Sequence, residues 1–290
     1  MAMITGPVGP DGIEGPRTRD RYGIFNVAEM DLLPEHAGLG GLQWITGNCG
    51  DSTGYEVECG VDLNAKTFTN EPSYQVALPF VVYATRLCGP VGFTEGESQR
   101  LVMQKLKATE QSTVEAVFSA ELFGQSPGLA NNPAAAAVPI GATDSFADAI
   151  GQLEAAFYAQ YGPQGVLHVP IRSGSHMSSQ HLIWPDKEHP MPGNAAVWRT
   201  AIGSAVSIGN YSSLSPLGVA PAAGTQWIYM TPPIKIWRQS DKQVFVSPVE
   251  GSLNRTTNQE TWLAERSYVM GFECDVVLAV NVELPTQTTT

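Results

Sequence analysis

The sequence is poor in charge. Asp, Glu, Lys and Arg make up 15% of its 290 residues, where about 25% is usual. So little charge leaves less polar surface to spread over a monomer, which favours a surface largely consumed by contacts with other chains. The shortage is greater on the basic side, with 16 Lys and Arg against 28 Asp and Glu and a net charge of −12. Tight binding to a nucleic-acid backbone needs clustered Lys and Arg, so the composition argues against it. It suits a wall that must not adhere to a polyanion. Cysteine is also sparse. Cys49, Cys59, Cys88 and Cys274 form no C-x-x-C pair and no Cys/His spacing for zinc. They read as free, mostly buried thiols of a soluble protein made in a reducing cytoplasm. No apolar run reaches the ~18 residues that a membrane span needs, and no charged region followed by an apolar one marks a secretory signal. There is no P-loop and no G-x-G-x-x-G after a strand.

What the sequence does contain is organised around Thr94 to Gly124. This stretch predicts one long amphipathic helix, with a spine over 95–123. Thr94 and Glu97 make a capping box, and Glu95 and Glu97 suit the positive end of the helix dipole. Leu101, Val102, Leu106, Val114, Val117, Phe118 and Leu122 recur at steps of three and four. Gln99, Arg100, Gln104, Lys105, Lys107 and Glu110 are assigned to the wet side. Gly124 and Pro127 end the run. A single apolar stripe predicts a helix lying along a sheet.

Residues 1–48 read as an irregular N-terminal arm. Four Gly-X-Y triplets run from Gly6 to Arg17, too few for a stable collagen-like helix, so the arm is extended and polyproline-like. Arg17, Arg19 and Arg21 follow. Residues 49–78 predict a projecting hairpin, with Tyr55, Val57, Cys59 and Val61 alternating against Glu56, Glu58 and Asp62. Lys66 lies in its turn, and Phe68 and Ser73–Ala77 on the return. Pro79–Ala84 reads as a strand buried on both faces, and residues 131–141 as an Ala/Pro linker. A second helix is expected from Ser145 to Tyr161, capped by Ser145-x-x-Asp148 and stopped by Gly162-Pro163, followed by the buried strand Val166–Val169. Residues 170–225 read as loop-rich, with 196–208 as one strand. Strands are expected over 226–230, 234–238, 244–246, 262–271 and 274–284, the last one central in a sheet.

Three local patterns suggest chemistry. Gly124-Gln125-Ser126-Pro127-Gly128 fits G-x-S-x-G, but it follows a helix rather than a strand, and Pro127 cannot donate the N–H of an oxyanion hole. A helix-terminating turn explains it better. His168, His176, His181 and His189 are close in sequence, with Asp186 and Glu188 available as carboxylates. Their Ser/Gly/Pro-rich setting lacks the fixed spacing of a metal site. The six tryptophans have no basic groove beside them to form a stacking platform. These readings name no catalytic residue, cofactor or metal.

The order of parts is arm, hairpin, long helix, linker, α/β unit, loops and closing strands. It resembles the tailed-bacteriophage major capsid proteins of the Hong Kong 97 type, a fold also used by encapsulin shells. The residues that carry the resemblance are the spine-like Gly96–Phe123, the helix-to-strand run Phe146–Pro170, and Leu263–Val269 with Gly271-Phe272-Glu273, which look like capsid sequences of actinobacterial phages. The resemblance implies an α+β capsid fold: arm 1–48, extended hairpin loop 49–78, peripheral domain 79–128, axial domain 129–250 and closing strands 251–290. It also implies a non-enzymatic shell of hexamers and pentamers around DNA, located in the virion after assembly in the host cytoplasm. Scaffold, portal or decoration proteins would be further partners. Subunit contacts are expected at Arg17, Arg19, Arg21, Tyr55, Lys66 and Phe68. Some members crosslink a loop lysine to an asparagine of a neighbour. No motif around Lys66 matches, so crosslinking is not carried over. The competing readings are an encapsulin-like compartment, a tail or connector component, and a cytosolic hydrolase using Ser126 or a Cys/His pair.

Overall fold

A computed structural model describes residues 22–46, 73–88, 94–120, 138–186, 197–212, 214–274 and 276–284. In chain order its elements are α1 (Ile24–Val27), β1 (Glu29–Leu32), α2 (Ala37–Gly40), β2 (Leu42–Thr46), β3 (Ser73–Ala77), β4 (Phe80–Cys88) and α3 (Glu95–Ala120). Then come β5 (Val138–Thr143), α4 (Phe146–Gln160), β6 (Val166–Pro170), α5 (Ile171–Ser179), β7 (Trp184–Asp186), β8 (Val197–Arg199), β9 (Ala205–Gly209) and β10 (Thr225–Thr231). The last four are β11 (Ile234–Arg238), β12 (Phe245–Pro248), β13 (Glu260–Phe272) and β14 (Leu278–Glu283). No described helix is long and apolar enough to cross a membrane.

The first sheet is built on β13. Its thirteen residues take β11 at 268–272 and β12 at 262–265 along one edge, and β4 at 260–268 along the other. β1 adds in parallel outside β11. The second sheet runs β5-β14-β10-β6-β9-β8-β7, with β14 paired on both sides as its apolar run predicts. The chain passes between the sheets at Pro232-Pro233, which link β10 to β11, and again between β13 and β14.

Helix α3 forms because its caps and stripe agree. Thr94 N donates to Glu97 Oε2 at 2.7 Å, and Glu97 N donates back to Thr94 Oγ1 at 3.3 Å. At ~1.5 Å per residue the helix is ~39 Å long. Leu101, Val102, Leu106, Val114, Val117 and Phe118 are buried; Leu122, Gly124 and Pro127 lie outside the described residues. The helix lies on β4 and β13 and reaches the second sheet at Phe118, whose ring meets His168 edge-on at 5.3 Å. Helix α4 has its Ser145 cap, with Asp148 N donating to Ser145 Oγ. With α5 it covers the opposite face of the second sheet, where Leu153, Phe157 and Met177 pack on Leu167, Val169 and Val280.

Several expectations are corrected. The backbone before residue 48 is regular over much of 24–46, because Ile24, Phe25, Val27 and Leu33 are apolar enough to join the cores. β2 pairs with β3, so the base of the hairpin uses a strand that had been read as arm. Pro79–Ala84 is not buried on both faces: β4 alternates, with Phe80, Val82 and Ala84 inside and Val81 and Tyr83 exposed. β5 begins inside the expected linker, where Val138 pairs with Leu278. The 170–225 region holds α5 and strands β7 to β9, and 196–208 is two antiparallel strands joined at 200–204. Serine and glycine weaken the sequence signal there, while burial supplies the stability. The expectation of free thiols holds for the buried Cys88, but Cys274 is disulfide-bonded. Proximity in space sets such pairing, and residue spacing does not reveal it.

His168 sits wholly inside β6 and faces α3. Its Nε2 meets Thr231 Oγ1 at 2.9 Å, and Nδ1 has no partner among the described residues. Burial pushes the imidazole down to about 3 from an ordinary 6.5. Between those values the unfolded chain holds a proton that the folded one does not. Stability is therefore complete above about pH 6.5 and falls as the pH drops, by about 1.4 kcal/mol per pH unit. Urea unfolding of His168→Met should show a pH dependence between about pH 6 and 4 shallower by up to that slope; parallel curves would contradict the account.

Candidate interaction surface

A buried charge cluster fixes which face of the first sheet remains open. Glu110 follows Leu106 by four residues and precedes Val114 by four, so it lies on the apolar stripe rather than the wet side expected of it. It is fully buried. Arg266 occupies an inward position of β13 between Ala264 and Tyr268 and is also fully buried. Arg266 Nη1 donates to Glu110 Oε2 at 2.8 Å, Tyr268 OH donates to the same oxygen at 2.8 Å, and Arg238 Nη1 approaches Oε1 at 3.4 Å. Arg266 Nη2 pairs with Asp241, which is half exposed and also takes Lys107 Nζ at 2.7 Å. The Lys107 hydrogen bond, assisted by the charge of Arg266, holds the Asp241 carboxyl below its ordinary value. Burial and the Glu110 charge push the Tyr268 phenol up. The helix is thereby keyed to one face of the sheet in one register.

Among the described residues the other face is only half covered. Around Val269 it is closed by Leu33, Ala37, Ala77 and Trp44. Trp44 lies so close over Gly271 that a Cβ there would stand 2.4 Å from the indole, and Trp44 Nε1 donates to Phe272 O. Toward the far end of β13 nothing described covers the sheet. Register puts Phe245, Glu265 and Tyr83 in one row, flanked by Val81 opposite Ser267 and Leu87 opposite Thr261. Tyr83 is 64% exposed, and Phe245 and Leu87 are each 56% exposed. The β2–β3 ribbon continues the pattern. It turns Trp44 and Ala77 to the sheet and leaves Ile45, Tyr74 and Val76 exposed. Exposed apolar side chains grouped in this way, rather than scattered, mark interaction surfaces. β4 is also an edge strand, paired with β13 alone among the described residues. Lys105 Nζ reaches over its edge to Thr85 O at 2.6 Å.

The contact residues expected from the sequence, Arg17, Arg19, Arg21, Tyr55, Lys66 and Phe68, all lie outside the described residues. So do Ser126 with its G-x-S-x-G motif, His189, Glu188, Cys49 and Cys59. The described histidines are not brought together. His168 is in the core, His176 on α5 stacks on Phe146, and His181 takes a positive φ of 55° after that helix. Among the described residues no group of three or more His, Cys, Asp and Glu is placed to hold a metal ion. The sequence reading missed Tyr83, Leu87 and Phe245. Strand alternation was the available signal, obscured by the continuous apolar run Phe80–Ala84. It also missed Glu110 and Arg266, which the four-residue and two-residue periods would have placed inside.

No protein-family model matches the sequence, and no curated protein matches it. Solved structures match over nearly the whole chain. The capsid of an empty GTA particle aligns with a TM-score of 0.57 at 12% identity, covering 98% of this chain and 96% of that one. The capsid of the native GTA particle gives 0.56 at 10% identity with the same coverage. The capsid of Ralstonia phage GP4 gives 0.53 at 9% identity, covering 93% of each chain. The fold is thus the mixed α+β capsid fold of the Hong Kong 97 type.

If the buried cluster keys helix to sheet, Glu110→Leu or Arg266→Met alone should cost about 3–5 kcal/mol by leaving a charge uncompensated. The double variant should regain most of that loss. Denaturant unfolding of the four proteins of this cycle measures it, and additive losses would show that the pair is not the key.

Proposed function

We propose that the chain is a major capsid protein, many copies of which assemble as hexamers and pentamers into an icosahedral phage head that encloses DNA. The observation that carries this reading is the capsid fold, matched over 98% of this chain and 96% of the GTA capsid chains. The apolar surfaces that the described residues leave exposed on the side of the sheet opposite α3 support it, as does the shortage of charge. The net charge of −12 fits containment of DNA without tight adhesion.

The finer features belong to the same proposal. The work is done by interfaces rather than by catalysis. The arm from Gly6 to Arg21, the hairpin from Cys49 to Tyr74 and the loops near residues 185–225 clasp neighbouring subunits, with Arg17, Arg19, Arg21, Tyr55, Lys66 and Phe68 among the contacts. The first sheet with α3 forms the peripheral domain, and the second sheet with α4 and α5 forms the axial one. Assembly takes place in the host cytoplasm, with scaffold, portal and decoration proteins as further partners.

Negative-stain electron microscopy of the purified chain should reveal closed shells, or separate pentamers and hexamers. Shells that hold no nucleic acid after expression with the packaging apparatus would favour a compartment instead. A monomer with hydrolase turnover lost in Ser126→Ala would overturn the shell reading. Deleting residues 1–21 should leave soluble subunits that no longer close into particles; normal particles would remove the arm from the mechanism.

The open sheet face gives a separate test. Tyr83→Lys combined with Phe245→Lys, which flank Glu265 with opposite charge, should leave subunit stability within about 0.5 kcal/mol, as expected of exposed positions. The same pair should abolish particles in sedimentation. Particles at wild-type yield would mean that this face is not an interface.

A further inference from the structure

The chain has a net charge of −12, yet its charge is unevenly spread. After its capping turn, α3 carries Arg100, Lys105 and Lys107, all exposed, while its remaining acids, Glu110 and Glu115, are both buried. The two lysines leave the helix on opposite flanks. Lys105 Nζ reaches Thr85 O on β4 at 2.6 Å, and Lys107 Nζ reaches Asp241 in the turn between β11 and β12 at 2.7 Å. Asp241 is shared with Arg266, so cations outnumber it. Lys242 follows in the same turn, exposed and without an ion pair among the described residues. Between the flanks the helix exposes Gln104, Ser112 and Thr113, which are uncharged. The opposite side of the sheet has another character. It exposes Val81, Tyr83, Leu87 and Phe245 around Glu265, and Lys235 on that side is already bonded to Glu29 and Asp31.

We propose that the α3 side of the first sheet is the surface that meets a nucleic-acid backbone, with Lys105, Lys107 and Lys242 neutralising phosphates. Cations on both flanks of a helix can follow the charge of a duplex, and amide and hydroxyl side chains such as Gln104 and Ser112 are usual companions on phosphate. The aromatic ring of α3, Phe118, is buried, so the helix offers no platform for stacking on bases. The contact is therefore with the backbone and independent of sequence. Repulsion from the rest of an acidic chain keeps it weak, local and sensitive to salt. A duplex is held against one face of the plate and away from the apolar one. This deepens the shell reading and rests on it for the identity of the polyanion, since it names the face turned to the enclosed DNA.

Lysine acetylation read by mass spectrometry tests the contact on the wild-type, full-length chain, kept dilute and unassembled. With a short random-sequence duplex at low salt, Lys105, Lys107 and Lys242 should be acetylated several-fold more slowly, and Lys235 at its former rate. Anisotropy titrations of a labelled duplex between about 50 and 200 mM salt give the second readout. Lys105→Gln combined with Lys242→Gln should flatten the slope of log affinity on log salt by about two. Arg172→Gln combined with Lys235→Gln removes the same charge from α5 and from the opposite face, and should leave the slope unchanged. Protection shared equally by Lys235, no protection at the lowest salt, or an equal loss of slope in the two double variants would overturn the proposal. So would equal protection by poly-glutamate, which would assign the face to an acidic protein. Because the chain is unassembled throughout, these results judge the face whether or not shells close, and electron microscopy judges the shells.

Discussion

The carboxylate of Glu110 is the constraint on which the first half of the molecule depends. It enters the interior on the apolar stripe of a helix and must find cations there, since an unpaired buried charge costs several kcal/mol. Arg266 and Arg238 come from two neighbouring strands, β13 and β11, and Tyr268 supplies a neutral donor. A purely apolar stripe would let α3 slide or rotate over β4 and β13 at little cost. The charge cluster removes that freedom, because only one register brings three donors to one carboxylate. With the helix fixed on one face, the opposite face of the sheet is left to the β2–β3 ribbon and to whatever else meets it.

A second carboxylate does similar work one turn further along. Glu115 accepts from Ile24 N at 2.9 Å and from Asn210 N at 2.7 Å. It thereby joins the start of α1 and the end of β9 to the helix. Gly209 is required at that point, since a Cβ would stand 2.3 Å from the carboxyl. The same helix therefore holds the first sheet through Glu110 and the second through Glu115 and Phe118. Polar anchors spaced along one rigid rod set the relation of the two sheets more sharply than apolar contact does.

Much of this was legible in the sequence where local signals and tertiary contacts agree. The Thr94–Glu97 box, the Ser145 cap, the buried strand at Val166–Val169 and the central β14 follow from caps and periods. The α+β capsid fold followed from the order of these parts. What stayed hidden depended on partners distant in sequence. Glu110 reads as surface until Arg266, 156 positions away, is known to face it. β2 reads as arm until β3 is seen to pair with it. α5 reads as loop because Ser173, Gly174, Ser175, Ser178 and Ser179 carry almost no helical signal, yet Gly174 lets the helix approach Ile208 closely. The open face could not be inferred from composition, since an exposed Tyr83 and a buried Val82 look alike in an apolar run. The contact residues named from the arm and hairpin lie in stretches where sequence pattern remains the only guide.

The Pro232-Pro233 link between β10 and β11 has a mechanical consequence. Two residues add at most ~7 Å of chain, and two prolines fix φ at both positions. The ends of the two strands therefore act as a pin rather than a tether. A change in the tilt of one sheet against the other is therefore confined to small rotations close to that pin, within the range that the β13–β14 connection and the anchors of α3 allow. In a wall built from such plates, curvature would be set by small angles at a fixed pivot, and no plate could lengthen to accommodate a neighbour.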